Sequence, residues 1–280
     1  MKLILPSPAK INLSLWVKGK RVDGYHEIIT VMHTINLMDI ISLLPSNRLE
    51  LSIKGNSSLP LDKSNLIIKA CKLFQEATGI KPKVKIKLEK KIPVGAGLGG
   101  GSSNAATTLK GLNLMYDKPL SDEELQEIAA KLGSDVPFFL KGGLAIAYGR
   151  GEKLKHYTKS DFKILLIYPG FSCLTKEVYE NLPSIIRTGI TVEAAERLIV
   201  SPLINGKFEE VENNMENDLE LSNSPCVKRV LKIKEQLEKF GLKPLMSGSG
   251  SSIFSIIKDE NFDITPLKKE GYWFKFLSAI

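Results

Sequence analysis

The stretch Pro93-Val94-Gly95-Ala96-Gly97-Leu98-Gly99-Gly100-Gly101-Ser102-Ser103 holds the densest chemical signal in the chain; five of its eleven residues are glycine. Glycine lets a backbone turn sharply and approach a ligand without a Cβ in the way. Residues 84–88 before it alternate Val84, Ile86 and Leu88 with lysines, the period of a half-buried strand. Residues 103–115 after it are rich in alanine and leucine, with apolar side chains at 105, 106, 109 and 112, which predicts a helix. Strand, glycine loop and helix start, in that order, form an anion site. The first amides of a helix lack intrahelical partners and carry the positive end of its dipole, so they cradle phosphate. Ser102 and Ser103 add hydroxyls, one of them placed to cap the helix. No Gly-Lys-Ser/Thr closes the loop, so it is not a Walker A motif. Residues 95–100 match G-x-G-x-x-G, but no second strand ending in an acidic ribose ligand follows, which argues against dinucleotide binding.

Other residues have types suited to chemistry. Ile11, Leu13, Leu15 and Val17 alternate with Lys10, Asn12 and Ser14. Lys10 and Asn12 therefore project side by side, either as a solvated strand face or as donors aimed into a site. In Gly133-Ser134-Asp135-Val136-Pro137-Phe138-Phe139-Leu140 an acid sits among apolar residues, where a carboxylate is costly unless paired. Lys10 is one candidate partner. Tyr25 and His26 stand at a loop-to-strand junction, where an aromatic can stack on a base or simply pack. A second loop, Met246-Ser247-Gly248-Ser249-Gly250-Ser251-Ser252, feeds a strand rather than a helix; it is either an ordinary turn or a place of close backbone approach.

The elements that must position these groups follow from pattern. Strands are expected at 11–17, 28–32, 39–44 and 49–53, with a turn at 45–47. A helix is expected over 65–78, stopped by Gly79. Ser121 and Glu124 form a capping box opening a helix that Gly133 ends. Residues 142–149 read as a strand, after which the pattern resets around Gly149-Arg150-Gly151. The apolar run 162–168 opens a second domain, giving domains 1–153 and 154–280. Short helices at 175–181 and 191–200, a loop or short helix at 213–224 and a longer helix over 227–240 complete it.

Composition excludes several classes. The 280 residues are 43% hydrophobic and 25% charged, a proportion that supports a real core. Net charge is +8, but the densest basic stretch, 81–91, puts its six lysines largely in alternation with apolar residues. They fill the solvent face of a strand and would guard an exposed edge. No stacking aromatics are interleaved, so nucleic acid is not an expected partner. A modest positive field suits small polyanions. No run of 18 apolar residues exists, so no membrane partner is expected, and the N-terminus is too short for a signal peptide; the expected location is cytoplasmic. Cys71, Cys173 and Cys226 predict neither a disulfide framework nor a zinc site, and Cys71 and Cys226 read as small core residues. The three histidines have no metal-ligand spacing.

Three stretches in fixed order, Pro8-Ala9-Lys10-Ile11-Asn12-Leu13, residues 93–106 and Met246-Ser247-Gly248-Ser249-Gly250, resemble the signature of the galactokinase, homoserine kinase, mevalonate kinase and phosphomevalonate kinase (GHMP) superfamily. Residues 23–27 and 133–139 resemble its branch that phosphorylates a cytidine-diphosphate-linked polyol. The resemblance runs from Pro6 to about Ile257. It implies an α+β fold of two domains, an N-terminal one like ribosomal protein S5 domain 2 and a ferredoxin-like C-terminal one, with the active site in the cleft between them. It implies an ATP-dependent kinase working with Mg²⁺, monomer or homodimer, with no dedicated protein cage for the metal. By the same resemblance Lys10 and Asp135 match the catalytic pair. Pro93, Val94, Gly95, Ala96, Gly97, Leu98, Gly99, Gly100, Gly101, Ser102 and Ser103 match the ATP phosphate loop. Asn65, Leu66, Ile67, Lys90 and Asn104 align with positions around the nucleotide. Tyr25 and His26 match the cytosine site, and Tyr179 stands where the family has an aromatic on the base's other face. Asn12, Thr175, Gly248, Ser249 and Gly250 are expected near the substrate. Residues 180–225 match no motif. Alternatives are another alcohol kinase of the superfamily, such as a homoserine or mevalonate kinase, and a non-catalytic nucleotide-binding protein.

Overall fold

Two long alternating segments near the N-terminus become the two longest strands, β1 (Leu3–Lys20) and β2 (His26–Pro45), paired with each other. In the computed structural model the residues described are 2–56, 58–183, 187, 189–258 and 263–280. The two strands expected at 28–32 and 39–44 are one 20-residue strand. The polar residues His33, Thr34 and Asn36 hid its continuity; His33 and Thr34 are in fact buried.

The chain forms two compact units, and β1 and β2 contribute to both. The first comprises Met1–Ala9, Leu37–Ile92 and Gly99–Gly142. Its strands are the start of β1, the end of β2, β3 (Glu50–Lys54) and β4 (Val84–Glu89), in the order β3-β4-β2 with β1 pairing β2. β4 runs antiparallel to β2 and parallel to β3. The lysine-rich strand is therefore flanked on both sides, and the expectation that its lysines guard an edge is corrected. Val84, Ile86 and Leu88 are buried, as the alternation requires. α1 (Leu66–Thr78) is capped by Asn65, whose Oδ1 accepts from the Ile67 N–H, and ends at left-handed Gly79. α2 (Gly100–Met115) lies close over β1 and β2: a Cβ on Gly111 would stand 2.8 Å from Leu43 and 2.9 Å from Leu5. α3 (Asp122–Leu132) has the expected capping box, and α4 (Val136–Lys141) is a short helix the pattern did not reveal.

The second unit comprises Lys10–Asn36, Pro93–Leu98 and Gly143–Ile280. β5 (Leu144–Gly149) pairs antiparallel with β2, and β6 (Lys153–Tyr157) with β5. β7 (Lys163–Tyr168) leads to α5 (Thr175–Glu180). A helical run follows: α6 (Val192–Ala195), a π-turn at Glu196–Val200, and α7 (Ser201–Ile204). After α8 (Phe208–Asn214) and a 3₁₀ turn at Asp218–Leu221 comes α9 (Pro225–Lys239), capped by Ser224. β8 (Leu245–Met246), β9 (Ile253–Ile257), α10 (Thr265–Lys269) and β10 (Trp273–Ser278) close the chain. The strand order β10-β7-β9-β8, all antiparallel, is the β-α-β-β-α-β arrangement of a ferredoxin-like domain. Val227, Val230, Ile233 and Leu237 of α9 pack with Leu165, Ile167 and Ile253 of this sheet in one core.

Cys173 and Cys226 are joined, with Cα atoms 5.7 Å apart, which corrects the expectation of no disulfide. Fifty-three residues separate them, so no local spacing could signal the pair. Cys71 is the buried core residue expected, and burial pushes its thiol up to about 12.

Candidate active site

In the second unit the first half of the glycine loop is held by its carbonyls. Ser172 Oγ donates to Val94 O (2.9 Å), Cys173 N to Gly95 O (3.1 Å) and Ser252 N to Ala96 O (3.1 Å). Lys10 Nζ and Ser247 Oγ both donate to Gly97 O, at 2.8 and 3.0 Å, and Lys10 N donates to Leu98 O at 3.0 Å. Five consecutive carbonyls are thus engaged by β1, by the segment after β7 and by the second glycine-serine loop. Gly97 has φ of 74°, and a Cβ there would stand 1.9 Å from Ser247 O, so only glycine fits. The second loop does approach the first closely, rather than being an ordinary turn.

Lys10 and Asn12 are both 3% exposed, so the solvated-face alternative is excluded. Lys10 Nζ donates to Asn12 Oδ1, and Asn12 Nδ2 donates to Thr30 Oγ1 at 2.8 Å, which passes its own proton to Ser14 O at 2.6 Å. This chain fixes the amide orientation: oxygen toward the ammonium, NH₂ toward Thr30. A Cβ on Gly248 would lie 3.0 Å from Lys10 Nζ and 3.1 Å from Asn12 Oδ1, so the second loop closes over the pair. Asn217 Nδ2 holds that loop by donating to Met246 O and Gly248 O, both at 2.8 Å. Thr175 Oγ1 and Ser249 Oγ share a hydrogen bond of 2.9 Å.

Tyr179 lies against His26, ring centroids 4.9 Å apart at 32°. Burial, with help from Lys20, lowers the His26 pKa. Tyr25 is 54% exposed, with the Arg150 guanidinium 4.9 Å over its ring, a cation–π contact.

In the first unit the loop's second half becomes the helix start. The cap is Gly99, left-handed at φ 67°, and α2 begins at Gly100, three residues earlier than expected. Ser102 and Ser103 fall inside the first turn and neither caps the helix; Ser103 Oγ instead shares a 2.8 Å bond with Ser7 Oγ. Asn104 is buried and donates to Ser7 Oγ and Asp39 Oδ2, both at 2.9 Å. Lys90 reaches Asp39, its side chain 5% exposed; burial lowers its pKa and Asp39 opposes that shift. Leu66 lies by the helix start, 3.6 Å from a Cβ built on Gly101, while Ile67 is buried in the core and Asn65 caps α1. Asp135 is a half-buried residue immediately before α4.

Sequence reasoning missed Asp39, Thr30, Ser172 and Asn217. Asp39 carried a signal, an acid inside an apolar strand, which is costly unless satisfied. The others needed the tertiary fold. Among the described residues no group of three or more His, Cys, Asp or Glu could hold a metal ion.

A glycine loop running into a helix start, a buried lysine beside that loop, and a ferredoxin-like unit in the same chain define the class as a GHMP-type, ATP-dependent kinase. The family of GHMP kinases N terminal domains matches residues 65–143, and that of GHMP kinases C terminal domains matches 197–261. A relative from Persephonella marina, 4-diphosphocytidyl-2-C-methyl-D-erythritol kinase, is 46% identical over 259 residues, 92% of each chain. A crystal structure of 4-(cytidine 5'-diphospho)-2C-methyl-D-erythritol kinase superposes with TM-score 0.79 at 33% identity, covering 98% of this chain and 99% of that one. Homoserine kinase from Cytophaga hutchinsonii, at 19% identity and TM-score 0.74 over 100% of this chain and 94% of its own, shares the fold. The chain belongs to the 4-diphosphocytidyl-2-C-methyl-D-erythritol kinase family.

Proposed function

We propose that this chain transfers the γ-phosphoryl group of ATP to the 2-hydroxyl of 4-diphosphocytidyl-2-C-methyl-D-erythritol, a step of the non-mevalonate route to isoprenoid precursors. The observation that carries the reading is the glycine loop, bound through five successive carbonyls in a chain 46% identical to a kinase of that name. A loop whose carbonyls are taken up on one side turns amide N–H groups to the other, where they receive phosphate oxygens. The region 1–153 serves ATP and 154–280 completes the substrate site.

Phosphoryl transfer requires positioning and charge neutralisation more than covalent help. Asp135 accepts the proton of the attacking hydroxyl as its oxygen bonds to the γ-phosphorus and the bond to the β–γ bridging oxygen breaks, releasing ADP. Lys10 stabilises the charge on the transferring group. Its burial and its bond to Gly97 O support that role. Asn12 orients Lys10. Tyr25 and Tyr179 stack on cytosine and His26 recognises its edge, with Thr175, Gly248, Ser249 and Gly250 along the polyol diphosphate. Leu66 lies by the nucleotide base, with Asn65 and Ile67 holding the start of α1 beside it.

Mg²⁺ keeps several waters and needs only one or two protein oxygens besides the phosphates. Ser102 is the loop hydroxyl suited to it, since Ser103 is bonded to Ser7. The metal supplies charge neutralisation on the phosphates. The reaction needs neither nucleic acid nor a membrane, and among the described residues no helix is long and apolar enough to cross one. The enzyme works in the cytoplasm as a monomer or homodimer.

The test is ADP release with Mg-ATP and 4-diphosphocytidyl-2-C-methyl-D-erythritol, beside homoserine, mevalonate and galactose. Turnover with the cytidyl substrate alone is expected. Turnover with another alcohol instead would discard the roles of Tyr25, His26 and Tyr179, and silence with all four in folded protein would discard the reaction.

A further inference from the structure

We propose that Asp39 is a positioning residue that clamps both ends of the phosphate loop; the inference rests on the proposal that this loop binds ATP. Asp39 lies on β2 and is fully buried. Its Oδ1 accepts from the backbone N–H groups of Lys91 (2.7 Å) and Ile92 (2.9 Å). Its Oδ2 accepts from Asn104 Nδ2 (2.9 Å) and from Lys90 Nζ. A carboxylate offers about four acceptor sites, and here all are filled. The donors are not scattered. Lys91 and Ile92 immediately precede Pro93, and Asn104 immediately follows Ser103. One carboxylate therefore holds the chain entering the loop and the helix turn leaving it.

Ser7 completes the clamp from β1. It accepts from Asn104 Nδ2 and shares a hydrogen bond with Ser103, the last loop residue. The Lys90 ammonium also lies against the first turn of α2, 2.8 Å from a Cβ built on Gly100. A cation there opposes the positive end of the helix dipole, so it needs the Asp39 charge beside it. Stability alone does not call for this arrangement. Buried ion pairs are often matched or bettered by apolar side chains of similar volume. What the carboxylate provides that apolar residues cannot is a fixed separation between two backbone positions, set by hydrogen bonds of defined length and direction. A loop whose ends are fixed loses less entropy when its amides close on phosphate. The expectation that Lys90 serves the nucleotide becomes an indirect one: its ammonium is engaged by Asp39.

The test uses Asp39→Asn and the neutral double variant Asp39→Asn/Lys90→Met, which leaves no buried unpaired cation. With Mg-ATP and the cytidyl substrate, the folded double variant is expected to raise the KM for ATP about tenfold or more, consistent with the cost of small misplacements in a site, and to leave the KM for the cytidyl substrate unchanged. A wild-type ATP KM, or an equal rise in both constants, overturns the clamp. Amide hydrogen exchange on wild-type protein without nucleotide needs no variant. The Lys91 and Ile92 amides are expected to exchange only with global unfolding, and fast exchange there overturns the proposal whatever the variants do. If wild-type protein binds no ATP, the function reading fails instead, while the exchange result still stands or falls on its own.

Discussion

Asp135 carries the sharpest separation between binding and chemistry. Asp135→Asn keeps the shape of the side chain and removes its proton affinity. The expected outcome is a fall in kcat of about 10²–10⁴-fold, the usual worth of general acid–base catalysis, with ATP-analogue binding retained in a fluorescence titration. A kcat near wild type would remove Asp135 from its role. His33 supports a prediction about stability. It is fully buried, its Nδ1 faces Thr34 O at 2.8 Å, and its Nε2 faces the Ser160 N–H at 3.4 Å. The neutral ring with hydrogen on Nδ1 satisfies both neighbours; a second proton would meet the Ser160 donor. Burial accordingly lowers its pKa. The unfolded chain binds the proton more readily, so His33 costs no stability above about pH 6.5, its ordinary value, and the fold weakens as pH falls below that. The melting temperature is expected to drop between pH 7 and 5 more steeply in wild type than in His33→Gln. Equal slopes would refute the point. Lys10 and Asn12 were legible at this scale because strand alternation alone puts them on one face. Asp39 showed only as an acid in an apolar strand, since its four donors come from two distant stretches, residues 90–92 and Asn104.

Among elements, the glycine loop and the helices beside it were the most legible, because caps and glycine stops act within a few residues. The N-cap was misplaced for the same local reason: serine is the usual cap, yet here left-handed Gly99 starts α2 and the serines turn inward or along the first turn. Gly97→Ala tests the loop. Its methyl group would overlap Ser247 O in a left-handed conformation that costs an alanine about 1–2 kcal/mol before any clash. Loss of measurable ATP affinity and a lower melting temperature are expected; an alanine variant with full activity would show that the two loops are not in contact. The continuity of β2, the parallel partner of β4 and the whole of β6 were not legible. Each is decided by pairing with distant chain, which the period of a segment does not encode.

For the molecule as a whole, composition pointed to a well-formed core, and the three-stretch signature reached the family. The Cys173–Cys226 link lay beyond it. On the chain-entropy account, closing a loop of 53 residues is worth about 4 kcal/mol. Peptide mapping without reductant is expected to recover those two cysteines as a linked pair, and reductant to lower the melting temperature. Alkylation of both thiols in folded, unreduced protein would refute the link. Cys71, its thiol pushed up to about 12, should stay unmodified until the chain unfolds.

β1 and β2 each begin in one compact unit and finish in the other. The boundary between the units is therefore crossed by unbroken strands rather than by a linker. No single cut in the chain can free either unit whole: a fragment ending after Gly142 would carry residues 10–36 and 93–98 away from the rest of their unit, leaving Ile28–His33 of β2 without β5. For gene fusion and exchange between relatives, the two units behave as one heritable piece.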